Sequence, residues 1–327
     1  MTSERWLMPE GVEEILPPDS WRMEELRRKV LDHLRASGYD LVVPPLIEYL
    51  DSLLTGAGTD LDLLTFKLTD QLNGRMMGLR ADITPQTARI DARRNGDSAP
   101  SRLCYLGTVL RTRPEDLGGS RCLQQLGAEL FGQSGCEADY EVIRLMIETL
   151  ALAGIEQPHL DIGHVGVYSA LVREAGLKAT AERELFDIMQ RKSRPDLEVF
   201  IAESGLSPAL GSAFLALVDL NGGAEVIDRA RAELGGLAPG IALALDELVG
   251  VIDRVAAAHP QLMMHIDLAE LHGYRYKTGI VFAAFMPGQG RELARGGRYD
   301  GIGGVFGRSR PATGFSADFA ALATWNA

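Results

Sequence analysis

Two runs rich in strand-forming residues, Leu103–Arg113 and Cys122–Leu130, are joined by a loop rich in Gly and Pro. Their pattern predicts a pair of neighbouring strands. Side chains an even number of residues apart on a strand share a face. Gln125 and Glu129 therefore point to the same side of the second strand. An arginine on the neighbouring strand, Arg111, can present a forked cation to a carboxylate there. On spacing alone, a charged surface of an antiparallel sheet is the favoured reading. Any fold for this chain must place this polar hairpin.

The rest of the chain builds around it. Pro17-Pro18-Asp19-Ser20 reads as a turn and cap before a helix from Trp21 to Ser37, with Leu26, Val30, Leu31 and Leu34 facing the core and Gly38 ending it. Leu41-Val42-Val43 reads as a short strand stopped by Pro44-Pro45. A turn at Asn73-Gly74 predicts a hairpin between Phe66–Asp70 and Arg75–Leu79. Thr84 and Pro85 open a helix. Helix follows at 139–153 and strand at 160–163. From about Val165 to Ala258 the chain is rich in Ala, Leu and Glu at helical periods. Strand signals return at 262–268 and 279–285, and Gly288–Arg291 reads as a turn. Thr313–Ala323 reads as an Ala-rich helix. The sum is an α+β fold, an antiparallel sheet flanked by helices, interrupted by a helical insertion.

Composition excludes several functions. The formal net charge is −12, which disfavours broad nucleic-acid binding. Nowhere do enough apolar residues run together to span a membrane, and the N-terminal residues lack a signal-peptide pattern. Cys104, Cys122 and Cys136 are too widely spaced for a paired motif, which predicts reduced structural thiols in a cytoplasmic protein. The histidines show no metal-ligand spacing, so no metal is expected. No Walker or dinucleotide-binding glycine pattern is present, and no cofactor is expected.

Two further groups carry polar chemistry. Asp82 and Thr84, in Leu79-Arg80-Ala81-Asp82-Ile83-Thr84, sit at a strand-to-helix junction. They suit either an α-amino group or the cap of the following helix. Gly296-Gly297-Arg298-Tyr299-Asp300-Gly301 suits either close approach of a ligand or a tight turn.

On these residues the chain resembles the catalytic domain of the histidyl-tRNA synthetases, a class II aminoacyl-tRNA synthetase family. Gly38-Tyr39 through Pro44, Pro45 and Glu48 is similar to motif 1, the dimer-forming element. Leu79–Thr84 is similar to that family's Leu-Arg-Pro-Glu-x-Thr. Arg111 to Glu129 matches motif 2 in length, ending in Gln125-Leu126-Gly127-Ala128-Glu129. Gly296–Gly301 reproduces Gly-Gly-Arg-Tyr-Asp-Gly. The resemblance implies a class II synthetase-like core over 1–164 and 262–327, a helical insertion over 165–261 and no anticodon-binding domain. It also implies a histidine pocket: Asp82 and Thr84 for the α-amino group, Arg111 and Gln125 for the carboxylate side, Glu129 for the imidazole. Tyr276 would wall it, and Lys277 stands where the family has a second ring-contacting tyrosine.

The departures fall on the ATP side. Arg113 occupies the place of the motif 2 acid, Leu123 that of the ring stacking on adenine, His272 that of the histidine-specific arginine, and Ala321 that of the motif 3 arginine. Phosphate chemistry needs fixed cations, so these changes imply negligible adenylation and no catalytic residues. Tyr274–Phe282 looks more like the paralogous family of ATP phosphoribosyltransferase regulatory subunits. That resemblance implies a homodimer within a hetero-oligomer, with the short-form ATP phosphoribosyltransferase catalytic subunit as partner and L-histidine as effector, and without nucleic acid or membrane. The competing readings are a truncated, synthetase-like adenylating enzyme and a histidine-binding regulator of another protein.

Overall fold

The computed structural model describes residues 7–56, 59–94, 99–114, 119–271, 273, 276–286 and 292–325. In chain order the elements begin with α1 (Asp19–Ala36), β1 (Asp40–Leu41), β2 (Ile47–Tyr49), α2 (Leu50–Leu54), α3 (Thr59–Leu64), β3 (Phe66–Thr69) and β4 (Met76–Leu79). Then come α4 (Thr84–Arg93), β5 (Ser101–Leu110), β6 (Cys122–Phe131), α5 (Cys136–Leu152) and β7 (His159–His164). The helical stretch holds α6 (Val165–Ala175), α7 (Ala179–Gln190), α8 (Arg194–Ser204), α9 (Pro208–Asp219), β8 (Asn221–Gly222), α10 (Glu225–Leu234) and α11 (Pro239–Ala258). It is followed by β9 (Met263–Asp267), β10 (Ile280–Phe285), β11 (Glu292–Arg298), β12 (Ala312–Asp318) and α12 (Phe319–Ala323). These form two compact units, one of Met1–Gln133, Leu145–Glu156 and Gly301–Ala327, the other of Ser134–Arg144 and Gln157–Asp300.

In the first unit β5, β6 and β12 are antiparallel neighbours, and β1 joins the edge of β5 in parallel. A smaller antiparallel sheet runs β2-β4-β3. Leu26, Val30 and Leu34 recur every four residues along α1 and are buried, each contributing about 1.5–3 kcal/mol of burial. Gly38 ends this helix at φ +85°, a left-handed conformation that disfavours other residues. The helix starts two residues before the sequence reading, at Asp19, and no side chain caps it.

The second unit carries the strands β11-β10-β7-β9-β8, with β7 and β9 parallel. In α11 the buried residues Ile241, Ala244, Leu245, Leu248, Val251 and Val255 follow helical spacing, and the helix packs on α6. His164 joins the two. Its Nδ1 accepts from the Gly166 amide at 3.0 Å, capping α6, and its Nε2 faces Glu247 of α11 at 3.0 Å. An accepting Nδ1 places the ring proton on Nε2. That bond, opposed by partial burial, holds the Glu247 carboxyl below its usual range.

The C-terminal segment corrects the sequence reading. Residues 312–318 are strand, not helix, and only Phe319–Ala323 is helical. Ala-rich composition favours helix, but here the chain pairs in register along β6, from Ala312 opposite Phe131 to Asp318 opposite Gln125. Its small residues leave room for what projects from β6. Strand β11, read from sequence only as a motif between glycines, also went unrecognised. The turn expected at 288–291 lies outside the described residues.

Candidate functional site

The odd-numbered residues of β6 and β5 share one face. Register places Tyr105 opposite Gly127 and Leu103 opposite Glu129, while on the other side Gly314 lies opposite Glu129. The two glycines explain the geometry. A Cβ on Gly314 would overlap the Glu129 carboxylate, and one on Gly127 would overlap the Tyr105 ring. Both side chains therefore lie flat across a neighbouring strand. Glu129 is 1% exposed and Tyr105 0%, so their polar atoms need partners inside the protein.

They find them in each other. The Tyr105 hydroxyl donates to Glu129 Oε1 at 3.0 Å, and Thr84 Oγ1 lies 3.0 Å from the same hydroxyl. Because the phenol proton goes to the carboxylate, the Thr84 hydroxyl donates to the phenol oxygen and keeps its own lone pairs open. Burial first, then the charges of Glu129 and Asp82, push the Tyr105 phenol well above its usual range, so it stays a donor.

Asp82 belongs to the same network. Its Oδ1 accepts from the Thr84 amide at 2.9 Å and from Gln125 Nε2 at 2.8 Å. Gln125 Oε1 accepts in turn from the Ile83 amide at 2.8 Å. Asp82 is thus a local backbone acceptor just before α4 and a member of a polar cluster; it does not cap the helix, whose N-cap is Ile83 with no side-chain cap bond. Its Oδ2 accepts no hydrogen bond among the described residues. Gln125 holds Asp82 in place from β6. Arg111, half-buried beyond the end of β5, donates from Nε to the Ala81 carbonyl at 3.3 Å.

The segment carrying Asp82 and Thr84 is fixed from below. Arg80 donates to the carbonyls of Thr108 (2.8 Å) and Pro44 (2.7 Å). Gln86 donates to the Pro45 carbonyl and to Glu48, and Arg89 forms a buried pair with Glu48. Ile83, Tyr105 and Val109 make a buried core cluster against which Val42 and Leu123 pack. A guanidinium and an amide from one motif thus clamp the Pro-Pro-x-x-Glu turn of another.

The structure therefore brings together Asp82, Thr84, Gln125 and Glu129, with Arg111 beside Ala81. It adds Tyr105, which sequence reasoning missed. What marks it is its register opposite Gly127, which makes room for the ring. Two open acceptors, Asp82 Oδ2 and Thr84 Oγ1, beside a buried carboxylate suit a cationic amine.

Tyr276 and Lys277 belong to the second unit. Tyr276 is 47% exposed, and its amide, like that of Lys277, donates to the Gly273 carbonyl. Lys277 is buried, and its Nζ donates to the Gly296 carbonyl at 2.8 Å. Burial first, then the charge of Arg295, lowers its amine to about 8. In the Gly-Gly-Arg-Tyr-Asp-Gly motif, Arg298 donates from Nε to Asp139 Oδ2 (3.1 Å), pairs through Nη2 with Asp139 Oδ1 (2.9 Å), and reaches Asp300 at 3.1 Å. That arginine ties β11 to the start of α5 rather than facing a ligand.

At the positions where the ATP side departs from the synthetase pattern, Arg113 is exposed, Leu123 packs against the core cluster and Ala321 is half-buried. His272, Tyr274 and Arg275 lie outside the described residues. The three cysteines are free thiols. Burial, then the charge of Asp40, pushes Cys104 up to about 11, which keeps it unreactive. No helix among the described residues is long and apolar enough to cross a membrane.

Known proteins share this chain's sequence and fold. The histidyl-tRNA synthetase family model matches residues 11–322. The ATP phosphoribosyltransferase regulatory subunit of Methylococcus capsulatus is 56% identical over 315 residues, covering 96% of this chain and 78% of that protein. The regulatory subunit of Pseudomonas syringae pv. tomato is 54% identical over 323 residues, covering 99% and 81%. Among solved structures, an ATP phosphoribosyltransferase regulatory subunit/histidyl-tRNA synthetase from Bacillus halodurans superposes with TM-score 0.87 at 30% identity, over 98% of this chain and 83% of that one. A histidyl-tRNA synthetase from Nostoc shares the fold, with TM-score 0.81 at 21% identity over 98% and 75%.

Proposed function

The chain belongs to the histidyl-tRNA synthetase family and, within it, to the ATP phosphoribosyltransferase regulatory subunits; on that premise we propose that it binds free L-histidine and thereby regulates a short catalytic phosphoribosyltransferase subunit. The observation that carries the reading is the buried Thr84–Tyr105–Glu129 chain beside the open oxygen of Asp82. Asp82 and Thr84 take the α-amino group, Glu129 takes an imidazole N–H, and Arg111 addresses the carboxylate, while Gln125 holds Asp82. Tyr276 and Lys277 are the residues that the motif resemblance assigns to the pocket wall and the ring. A site of polar atoms needing partners rejects amino acids that lack them.

Adenylation is not part of this function. An arginine replaces the motif 2 acid and a leucine the adenine-stacking ring, while the motif 3 arginine is absent. Loss of a phosphate-holding arginine costs roughly 10³-fold or more in rate by analogy with other phosphoryl-transfer sites. Regulation then works by linkage. The partner joins ATP to phosphoribosyl pyrophosphate when assembled with this chain, as a homodimer within a hetero-oligomer. Histidine shifts the assembly toward a less active state by its difference in affinity for the two states.

Two measurements test this. Histidine-dependent exchange of labelled pyrophosphate into ATP should be absent, and exchange at a synthetase-like rate would overturn the non-catalytic reading. Glu129→Ala should weaken histidine binding about 30-fold or more, because it removes the buried acceptor, and should abolish histidine inhibition of the complex while leaving its activation. Unchanged inhibition would remove Glu129 from the site.

A further inference from the structure

Arg121 stands just before β6, opposite Arg111 just after β5. Beyond the last ladder pair, Leu110 with Cys122, the Arg111 amide donates to the Arg121 carbonyl at 2.8 Å. In a hydrogen-bonded pair of an antiparallel ladder the two residues exchange both bonds. Here the Arg121 amide turns instead to the Gly11 carbonyl at 2.6 Å. The Arg111 carbonyl is taken by the side chain of Arg121, whose Nε donates to it at 3.1 Å. We propose that Arg121 is a positioning residue for Arg111, and that through it the site selects a ligand with a free carboxylate. The inference rests on the histidine reading, which gives Arg111 the carboxylate.

The N-terminal segment holds Arg121 in turn. Its Nη1 donates to the Glu10 carbonyl at 3.1 Å, and its guanidinium lies over the Phe66 ring, 5.1 Å from the centroid. Glu10 and Gly11 are the central residues of a turn closed by the Val12 amide on the Pro9 carbonyl at 3.0 Å. Gly11 has φ +69°, and a Cβ there would stand 3.0 Å from Arg121 Cγ. Glycine is thus required twice, for the conformation and for the close approach. The guanidinium serves two carbonyls from two nitrogens of one plane, which a lysine with a single nitrogen does not reproduce.

On its other side Arg111 is held through Thr112. The Thr112 amide donates to the Leu64 carbonyl at 2.9 Å, and its hydroxyl to the Leu63 carbonyl at 2.6 Å. From a backbone clamped at both ends, the Arg111 side chain reaches the Ala81 carbonyl, next to Asp82. A forked guanidinium–carboxylate contact depends on geometry, and binding groups must be held to within about 0.5 Å. Without the Arg121 bond the Arg111 carbonyl turns toward water, and its side chain loses that fixed origin.

Calorimetric titration of the full chain with L-histidine and with L-histidinol, which has an alcohol in place of the carboxylate, tests the proposal. The wild type should bind histidine about tenfold or more tightly than histidinol. Arg121→Ala should lose that preference, with histidine weakened about tenfold and histidinol unchanged. Arg121→Lys should lose most of it too, because it keeps a cation without the fork; full preference in that variant would overturn the proposal, leaving only charge at a distance. Gly11→Ala disturbs the turn with the arginine in place and should give the same selective loss in milder form, which keeps the test open if Arg121→Ala does not fold. Added to Arg111→Ala, Arg121→Ala should weaken histidine no further. Equal weakening of both ligands, or additive losses in the double variant, would make Arg121 a general structural tie and overturn the inference while the histidine site stands. Binding of neither ligand by the wild type would overturn the histidine reading itself, and this inference with it.

Discussion

Two motifs of the same synthetase pattern have different uses in this molecule. In the first unit, Asp82, Thr84, Tyr105 and Glu129 form a chain whose interior bonds are made but whose outer atoms, Asp82 Oδ2 and Thr84 Oγ1, stay open. In the second unit, Arg298 holds Asp139 and Asp300, and Lys277 holds the Gly296 carbonyl. The first arrangement leaves acceptors open among the described residues. The second ties backbone segments together. A matching motif therefore does not by itself mark a ligand contact; what decides is where each side chain's hydrogen bonds already go. On this contrast, a change at Arg298 should move stability, and changes at Asp82, Thr84, Tyr105 and Glu129 should move ligand affinity.

The strongest test is Arg298→Ala. It leaves Asp139 buried without its cation, and breaking a buried pair this way costs about 3–5 kcal/mol. Urea denaturation should show that loss, with histidine affinity of the folded fraction unchanged. A variant of normal stability that no longer bound histidine would break the contrast, since Arg298 would then serve the ligand.

Lys277 sharpens it through pH. The buried amine holds its proton to about 8, against 10.5 ordinarily. Between those pH values the unfolded chain binds more protons than the folded one, so this group makes stability rise as pH rises. Below about pH 8 the cost of burying the charged form is fully present. Lys277→Met should therefore stabilise the chain near neutral pH by on the order of 1–3 kcal/mol, less the lost backbone bond. That advantage should narrow as pH climbs toward about 9.5. Thermal melts of both proteins across this range would show it, and an advantage independent of pH would mean that burial leaves the amine at its unfolded value.

Much of this division was legible in the sequence, for reasons that particular residues make plain. Gln125 and Glu129 share a face because strand periodicity is two, and that holds wherever β6 pairs. Asp82 and Thr84 were legible as a junction because Pro85 fixes the start of α4. The C-terminal strand was not legible, because its Ala-rich composition speaks for helix and only the neighbouring β6, nearly two hundred residues away in sequence, overrides it. Tyr105 was missed because nothing local marks its hydroxyl as polar machinery. The signal lay in Gly127, whose missing side chain makes room for the ring, and that pairing appears only once register is known. The role of Arg298 as a tie was not legible because its partner, Asp139, is distant in sequence.

The smallest expected effect is the most specific to the first unit. Tyr105→Phe keeps the ring across Gly127 and removes one O–H. Glu129 Oε1 then loses the donor that fixes it, and the Thr84 hydroxyl loses its acceptor and can rotate away from the α-amino position. A lost hydrogen bond to a charged group is worth about 1.5–3 kcal/mol, but water admitted to the opened site would return part of it, leaving about a tenfold loss of histidine affinity. Stability should fall by no more than about 1–3 kcal/mol, from the donor that Glu129 loses, since the buried ring is unchanged. Titration calorimetry beside a thermal melt separates the two quantities. A fall in melting temperature with affinity intact would place Tyr105 with Arg298 as a structural tie, and the line between the two motifs would have to be redrawn around Asp82 and Thr84 alone.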